Sequence, residues 1–217
     1  MFRGLLKYVV TNNGLLPKEY QQVEYIESTT GDEFIDTGVV PNNNTGYMIK
    51  HTICEDNGGD NILIGCREDD DQTRFWIDID WGWSDSIGWG FGSYSPKEGG
   101  YRHYISFSDE GRIAIISCNY YNNRKCFVDS YEYPLPQSTL PYISYSIYLF
   151  AGNNYGTTLY NSLCKIYLVE ITDDNSLIRK MIPCYRKSDD EVGLYDIING
   201  VFYTDSGGGN LIAGPVV

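Results

Sequence analysis

The chain has 217 residues, a length at which an all-β sandwich runs as one domain, and a hydrophobic fraction of 42% excludes disorder. Twenty Tyr, eight Phe, four Trp and 23 Gly suit half-buried strands joined by tight turns better than a helical bundle. A net charge of −13, from 29 acidic and 16 basic residues, leaves no basic stripe for phosphates and excludes nucleic acid as a partner.

Residues 1–15 read as a short arm that ends in the turn signal Asn12-Asn13-Gly14 and docks on its own domain or on a neighbour. Lys7 breaks the opening apolar run, so MFRGLLKYVV is not expected to be a signal peptide, and no stretch reaches the length of a membrane span. The remainder, 16–217, reads as one sandwich. Strand patterns follow at 23–27, 33–37, 46–53 and 61–66, separated by Asn- and Gly-rich turns. The run Glu68-Asp69-Asp70-Asp71 is a solvated loop. Arg74 to Trp81 alternates strictly, with Phe75, Ile77, Ile79 and Trp81 on one face and Trp76, Asp78 and Asp80 on the other.

Further strands are expected at 86–94 and 101–107. A hairpin follows, with strands 111–120 and 125–130 around Tyr121-Asn122-Asn123-Arg124. Long apolar strands are expected at 144–151 and 164–171, and a last set at 177–183, 193–197 and 201–203. Asn199-Gly200 signals a two-residue hairpin, and Asp36 and Asp196 suit turn caps that accept backbone N–H bonds. Short strands at near-regular spacing predict an all-β fold, a sandwich or a barrel.

The six cysteines (Cys54, Cys66, Cys118, Cys126, Cys164, Cys184) contain no C-x-x-C, and His51 and His103 lie far from any cysteine pair, which argues against zinc. They read as free, buried thiols, with Cys118 and Cys126 the pair best placed to face each other across a hairpin. His51 and His103 lack a Ser or Cys partner and read as hydrogen-bonded filler. No cofactor motif is present, although the excess carboxylates could hold calcium. Arg179-Lys180 and Arg186-Lys187 form the one local basic spot in the sequence, a solvated face or a set of ion-pair partners.

Two segments carry a family pattern. The first is Leu16-Pro17, Tyr20, Val23-Glu24-Tyr25-Ile26-Glu27-Ser28, then Phe34-Ile35-Asp36-Thr37-Gly38 and Pro41. The second is Arg179, Ile182-Pro183-Cys184-Tyr185-Arg186-Lys187, then Gly193-Leu194-Tyr195-Asp196, Asn199-Gly200, Phe202-Tyr203 and Gly207. Together they resemble the opening and closing signatures of a concanavalin A-like lectin/glucanase (LamG-like jelly-roll) family, found in phage and prophage virion proteins and in gut-bacterial surface proteins. The resemblance implies a two-sheet antiparallel jelly-roll sandwich and a virion structural or adhesive protein: a capsid-decoration, head-fibre or tail-associated module. Other virion proteins would be its partners through the arm, with host surface glycans and a second copy of the chain as further candidates. The alternatives are a free-standing sugar-binding lectin of a gut bacterium and, more remotely, a glycoside hydrolase.

Hydrolytic relatives carry Glu-Ile-Asp-Ile-Glu on one strand, and a retaining mechanism wants its carboxyl groups about 5–5.5 Å apart. The corresponding segment here is Trp76-Ile77-Asp78-Ile79-Asp80, so an indole stands at the nucleophile's position and the chain is not expected to be an enzyme. The candidate binding residues are Trp76, Asp78, Asp80, Trp81, Trp83, Trp89 and Tyr94. They form either an aromatic contact surface for sugar or protein, or the filling of the sandwich core and its rim.

Overall fold

The computed structural model describes residues 15–54, 60–68, 74–80, 85–92, 102–106, 109–119, 125–134, 140 and 142–217. Three short strands come first: β1 (Tyr20–Gln22), β2 (Ile26–Glu27) and β3 (Ile35–Asp36). Longer ones follow in β4 (Thr45–Thr52), β5 (Asp60–Arg67), β6 (Arg74–Asp80) and β7 (Ser86–Gly92). Next are β8 (Arg102–Tyr104), β9 (Ile113–Asn119), β10 (Lys125–Val128) and β11 (Tyr131–Pro134). Three more short strands are β12 (Tyr148–Leu149), β13 (Gly152–Asn154) and β14 (Thr157–Leu159). The chain closes with β15 (Lys165–Asp173), β16 (Ser176–Arg186), β17 (Glu191–Asp196), β18 (Val201–Thr204) and β19 (Ile212–Ala213).

The strands make two sheets. The larger runs β11-β10-β9-β4-β15-β16-β17-β18, with β1 on β16 and with β2 held between β15 and β19. The smaller runs β14-β13-β5-β6-β7-β8, with β12 joined to β3 and β5. Pairing is antiparallel apart from β13 on β5. Period-two alternation puts Tyr47, Ile49, Ile116 and Val169 of the larger sheet against Phe75, Ile77, Ile79, Ile87, Trp89 and Phe91 of the smaller, all buried in one core. Aromatic contacts bridge the layers: Tyr47 meets Phe75 edge-on at 5.4 Å, and Trp89 meets Tyr133 at 5.2 Å. The molecule is a two-sheet β-sandwich, one of the two architectures that the strand spacing implied and the one that the family resemblance implied.

Several local expectations change. The long strand expected at 144–151 is only β12, because Phe150 takes a positive φ of 65° and turns the chain from antiparallel to parallel alongside β5. The Asn199-Gly200 hairpin is a four-residue turn rather than a two-residue one, since Asp196 pairs with Val201 and Gly200 N–H bonds back to the Asp196 carbonyl. Strand β11 was not legible, and β16 extends through Pro183 to Arg186. Pro183, which has no N–H to donate, falls in the gap between the last β15 pair at Met181 and the last β1 pair at Cys184, and its carbonyl accepts the Val23 N–H at 3.1 Å. Arm residues 1–14 lie outside the described residues; Leu15 is exposed.

Candidate functional site

The outer face of the smaller sheet is built by β5, β6 and β7. Because Phe75, Ile77 and Ile79 point inward, Trp76 and Asp78 point outward, on the face that alternation assigned to them. Trp76 lies between two small cross-strand neighbours, Gly65 and Gly90, whereas Asp78 lies between Ile62 and Gly88. The missing side chains make room for the indole: a Cβ on Gly90 would stand 2.8 Å from Trp76 Nε1 and 2.9 Å from Arg74 Cδ. A Cβ on Gly65 would collide with that of Trp76 and come within 2.6 Å of the Phe75 carbonyl.

Two arginines join this face, which sequence reading missed because they are seven positions apart along the chain. Arg67 and Arg74 are cross-strand partners, and the alternation that sends Trp76 outward sends Arg74 with it. The Arg74 guanidinium lies over the Trp76 ring at 4.9 Å, a cation–π contact. Arg67 donates from Nε to Asn154 Oδ1 at 2.6 Å and covers the Tyr155 ring at 5.8 Å. The signal that could have found the pair is the antiparallel register of β5 and β6.

The face is covered rather than open. Arg74 and Trp76 are 7% exposed and Asp78 is 5% exposed. Trp76 is therefore no open stacking platform, and its Nε1 has no hydrogen-bond partner among the described residues. Asp80 belongs to the same strand, opposite Asp60 and Ser86. Trp89 is on the other side of the sheet, fully buried against Tyr133, and is a core residue with no access to this face. Trp81, Trp83 and Tyr94 lie outside the described residues.

Other singled-out residues hold structure together. Asp36 accepts the Gly38 N–H at 2.9 Å, and buried Asp196 accepts the Lys180 and Ile198 N–H groups at 3.0 Å each, both in the capping role expected of them. Glu68, expected to be solvated, accepts the Ser144 N–H and hydroxyl. The basic spot is ion-paired or bonded: Lys180 with Glu170 at 2.9 Å, Arg186 with Asp189 at 2.7 Å, Arg179 beside Asp196 at 3.5 Å, and Lys187 Nζ with the Lys18 carbonyl at 3.0 Å. His103 Nδ1 bonds Tyr133 at 2.8 Å, and burial followed by the charge of Arg112 holds its pKa below the usual value.

A recess of about 240 Å³ beside the closing motif is lined by Asp189, Asp190, Glu191 and Asp205. Two of these carboxylates already have partners: Arg186 for Asp189, and the Phe34 and Gly207 N–H groups for Asp205. Among the described residues no group of three or more His, Cys, Asp or Glu is arranged to hold a metal ion.

No family model matches the chain, and no curated protein matches it. Solved structures similar to it include parts of sialidases. The CBM40 of Ruminococcus gnavus IT-sialidase bound to alpha2,6 sialyllactose is 14% identical over 73% of this chain and 92% of its own, with a TM-score of 0.47. The K499G mutant of NanB sialidase from Streptococcus pneumoniae is 12% identical, covering 72% of this chain and 27% of its own, with a TM-score of 0.45. A mutant of Trypanosoma rangeli sialidase displaying trans-sialidase activity is 12% identical over 63% of this chain and 21% of its own, with a TM-score of 0.45. The chain thus spans about a quarter of the length of those two whole sialidases.

Proposed function

We propose that the chain is a non-enzymatic, lectin-like attachment module that serves as a structural or adhesive part of a bacteriophage particle. The observation that carries the non-enzymatic reading is Trp76. It fills the position where hydrolytic relatives of the resembled family carry a nucleophile, and Gly65, Gly90 and Arg74 are fitted around the indole. An indole cannot form a glycosyl-enzyme intermediate. The neighbouring Asp78 is buried, not presented to a polymeric substrate. The phage setting rests on the opening and closing signatures, whose members include virion proteins.

Assembly is the test. Particles made with a chain lacking residues 1–15 should lose this protein while the separately purified truncation stays folded; normal incorporation would overturn the anchoring role. Glycan-array binding that disappears in Trp76→Ala with the fold retained would favour a free-standing lectin instead. Reducing-sugar release abolished by Asp78→Asn would overturn the non-enzymatic reading.

A further inference from the structure

All six cysteines are buried thiols outside any disulfide, and four of them form two pairs. Cys118 and Cys126 are directly opposed on β9 and β10, the pairing expected across that hairpin. Their thiols are hydrogen-bonded inside the core, with Cys118 2% exposed and Cys126 fully buried. The second pair was not legible, because Cys54 and Cys164 are far apart in the chain. Strand β4 ends at Thr52 beside the start of β15, where the Lys165 N–H donates to Thr52 Oγ1 at 2.9 Å. That junction brings Cys54, just past β4, into thiol hydrogen-bond contact with Cys164, just ahead of β15.

The two pairs differ in access. Cys164 lines a surface recess of about 160 Å³ whose wall includes Glu27 and Ser28 of the opening signature, with Thr29, Thr52 and Lys165. Cys118 and Cys126 instead face each other across β9 and β10 inside the core, 2% and 0% exposed. We propose that Cys54 and Cys164 are a redox-active dithiol that a low-molecular-weight disulfide of the glutathione type oxidises to a Cys54–Cys164 bond in the folded protein, entering through the recess that Cys164 lines. The inference is independent of the attachment role.

The chemistry is two successive exchanges. The Cys164 thiol loses its proton to solvent, and the thiolate attacks one sulfur of oxidised glutathione, expelling a glutathione thiolate. The Cys54 thiolate then attacks the Cys164 sulfur of the mixed disulfide and expels the second glutathione thiolate. The dithiol is oxidised by two electrons, the glutathione disulfide is reduced, and the two released thiolates take up the two protons. Burial, then the Cys54 contact and the charge of Glu27, push the Cys164 thiol well above its ordinary range. Thiolate is therefore scarce at neutral pH, and the exchange accelerates as the medium becomes alkaline.

The experiment incubates the folded protein with oxidised glutathione at mildly alkaline pH, blocks remaining thiols and maps the peptides by mass. The expected result is a Cys54–Cys164 peptide with four of the six thiols still titratable, and a Cys118–Cys126 peptide only when denaturant is added. Cys54→Ser should stop at a stable glutathione adduct on Cys164; if that variant does not fold, the wild-type map alone decides. Six unreacted thiols, a persistent glutathione adduct on wild-type Cys164, or prior closure of Cys118–Cys126 would each overturn the proposal.

Discussion

The Phe34 backbone N–H donates to the Asp205 carboxylate at 2.9 Å, a bond that spans 171 residues. It joins the opening signature to the closing one. Asp205 also accepts the Gly207 N–H at 3.0 Å, and the Ser206 N–H returns to the Phe34 carbonyl at 2.8 Å. Gly207 passes so close to the Asp32 carbonyl that any Cβ there would collide with it, and a Cβ on Gly209 would come within 2.6 Å of the Glu33 carboxyl group. The two signatures are one structural unit divided between the ends of the sequence.

Asp205→Ala removes the acceptor for two backbone donors at that joint. It should destabilise the fold by about 1–3 kcal/mol in urea titrations, whereas Asp205→Asn, which keeps an oxygen acceptor, should recover most of the loss. Equal stability of the alanine variant and wild type would show that the joint contributes nothing.

Glu33 is fully buried and accepts hydrogen bonds from the Ser28 hydroxyl, the Thr30 hydroxyl and N–H, and the Gly31 N–H. Burial raises its pKa, but these bonds prevail and hold it below the usual glutamate value of 4.5. A depressed carboxylate contributes stability that is present above the unfolded-state pKa and is lost as pH falls through the folded-state one. Glu33→Gln should therefore lower stability at neutral pH and narrow its gap to wild type as the solution is acidified. A gap that is constant with pH would contradict this account.

His51 loses stability in the same pH direction, but because its neutral form is the one the fold favours. It is fully buried, its Nδ1–H donates to the Thr52 carbonyl, and burial brings its pKa down from 6.5 to about 4. The unfolded chain binds a proton between those two values and the native chain does not, so stability is complete above pH 6.5 and falls as the pH drops toward 4. By linkage the loss is about 3 kcal/mol. His51→Asn, which keeps an N–H donor, should remove this contribution from the difference between unfolding measurements at pH 7 and pH 4.

Trp76 and Trp89 should separate cleanly. Trp89→Ala opens a cavity in the centre of the core and should cost about 3–5 kcal/mol. Trp76→Ala should keep the two-sheet fold, with circular dichroism near wild type, because its ring packs on the outer face against Arg74 and two glycines. Loss of β-structure in Trp76→Ala would mean that the outer face supports the fold as strongly as the core does.

The sandwich was legible because its long strands obey period two: Phe75, Ile77 and Ile79 could be assigned to one face from the sequence and lie there. The outer-face group was half legible. Trp76 and Asp78 share a strand, so alternation links them, but the meeting of Arg67 with Arg74 depends on cross-strand register. Burial was undecided for the same reason: the Trp residues read either as a contact surface or as filling until the register shows Gly65 and Gly90 clearing space for Trp76. Trp89, one of four Trp residues within fourteen positions, alternates to the inner face, so closeness in the chain said nothing about a shared surface. The kink at Phe150 has no glycine to announce it, and a long apolar run passed for one strand.

Near the end of the chain, Val216 makes an antiparallel bridge with Val23, and the Glu24 N–H donates to the Pro215 carbonyl at 2.8 Å. The last described residues are thereby laced to the stretch that follows β1, and β1 is itself paired with β16 from Tyr20 to Gln22. A pull on the segment ahead of β1 would shear β1 along that long strand, so mechanical load entering there would pass directly into the larger sheet.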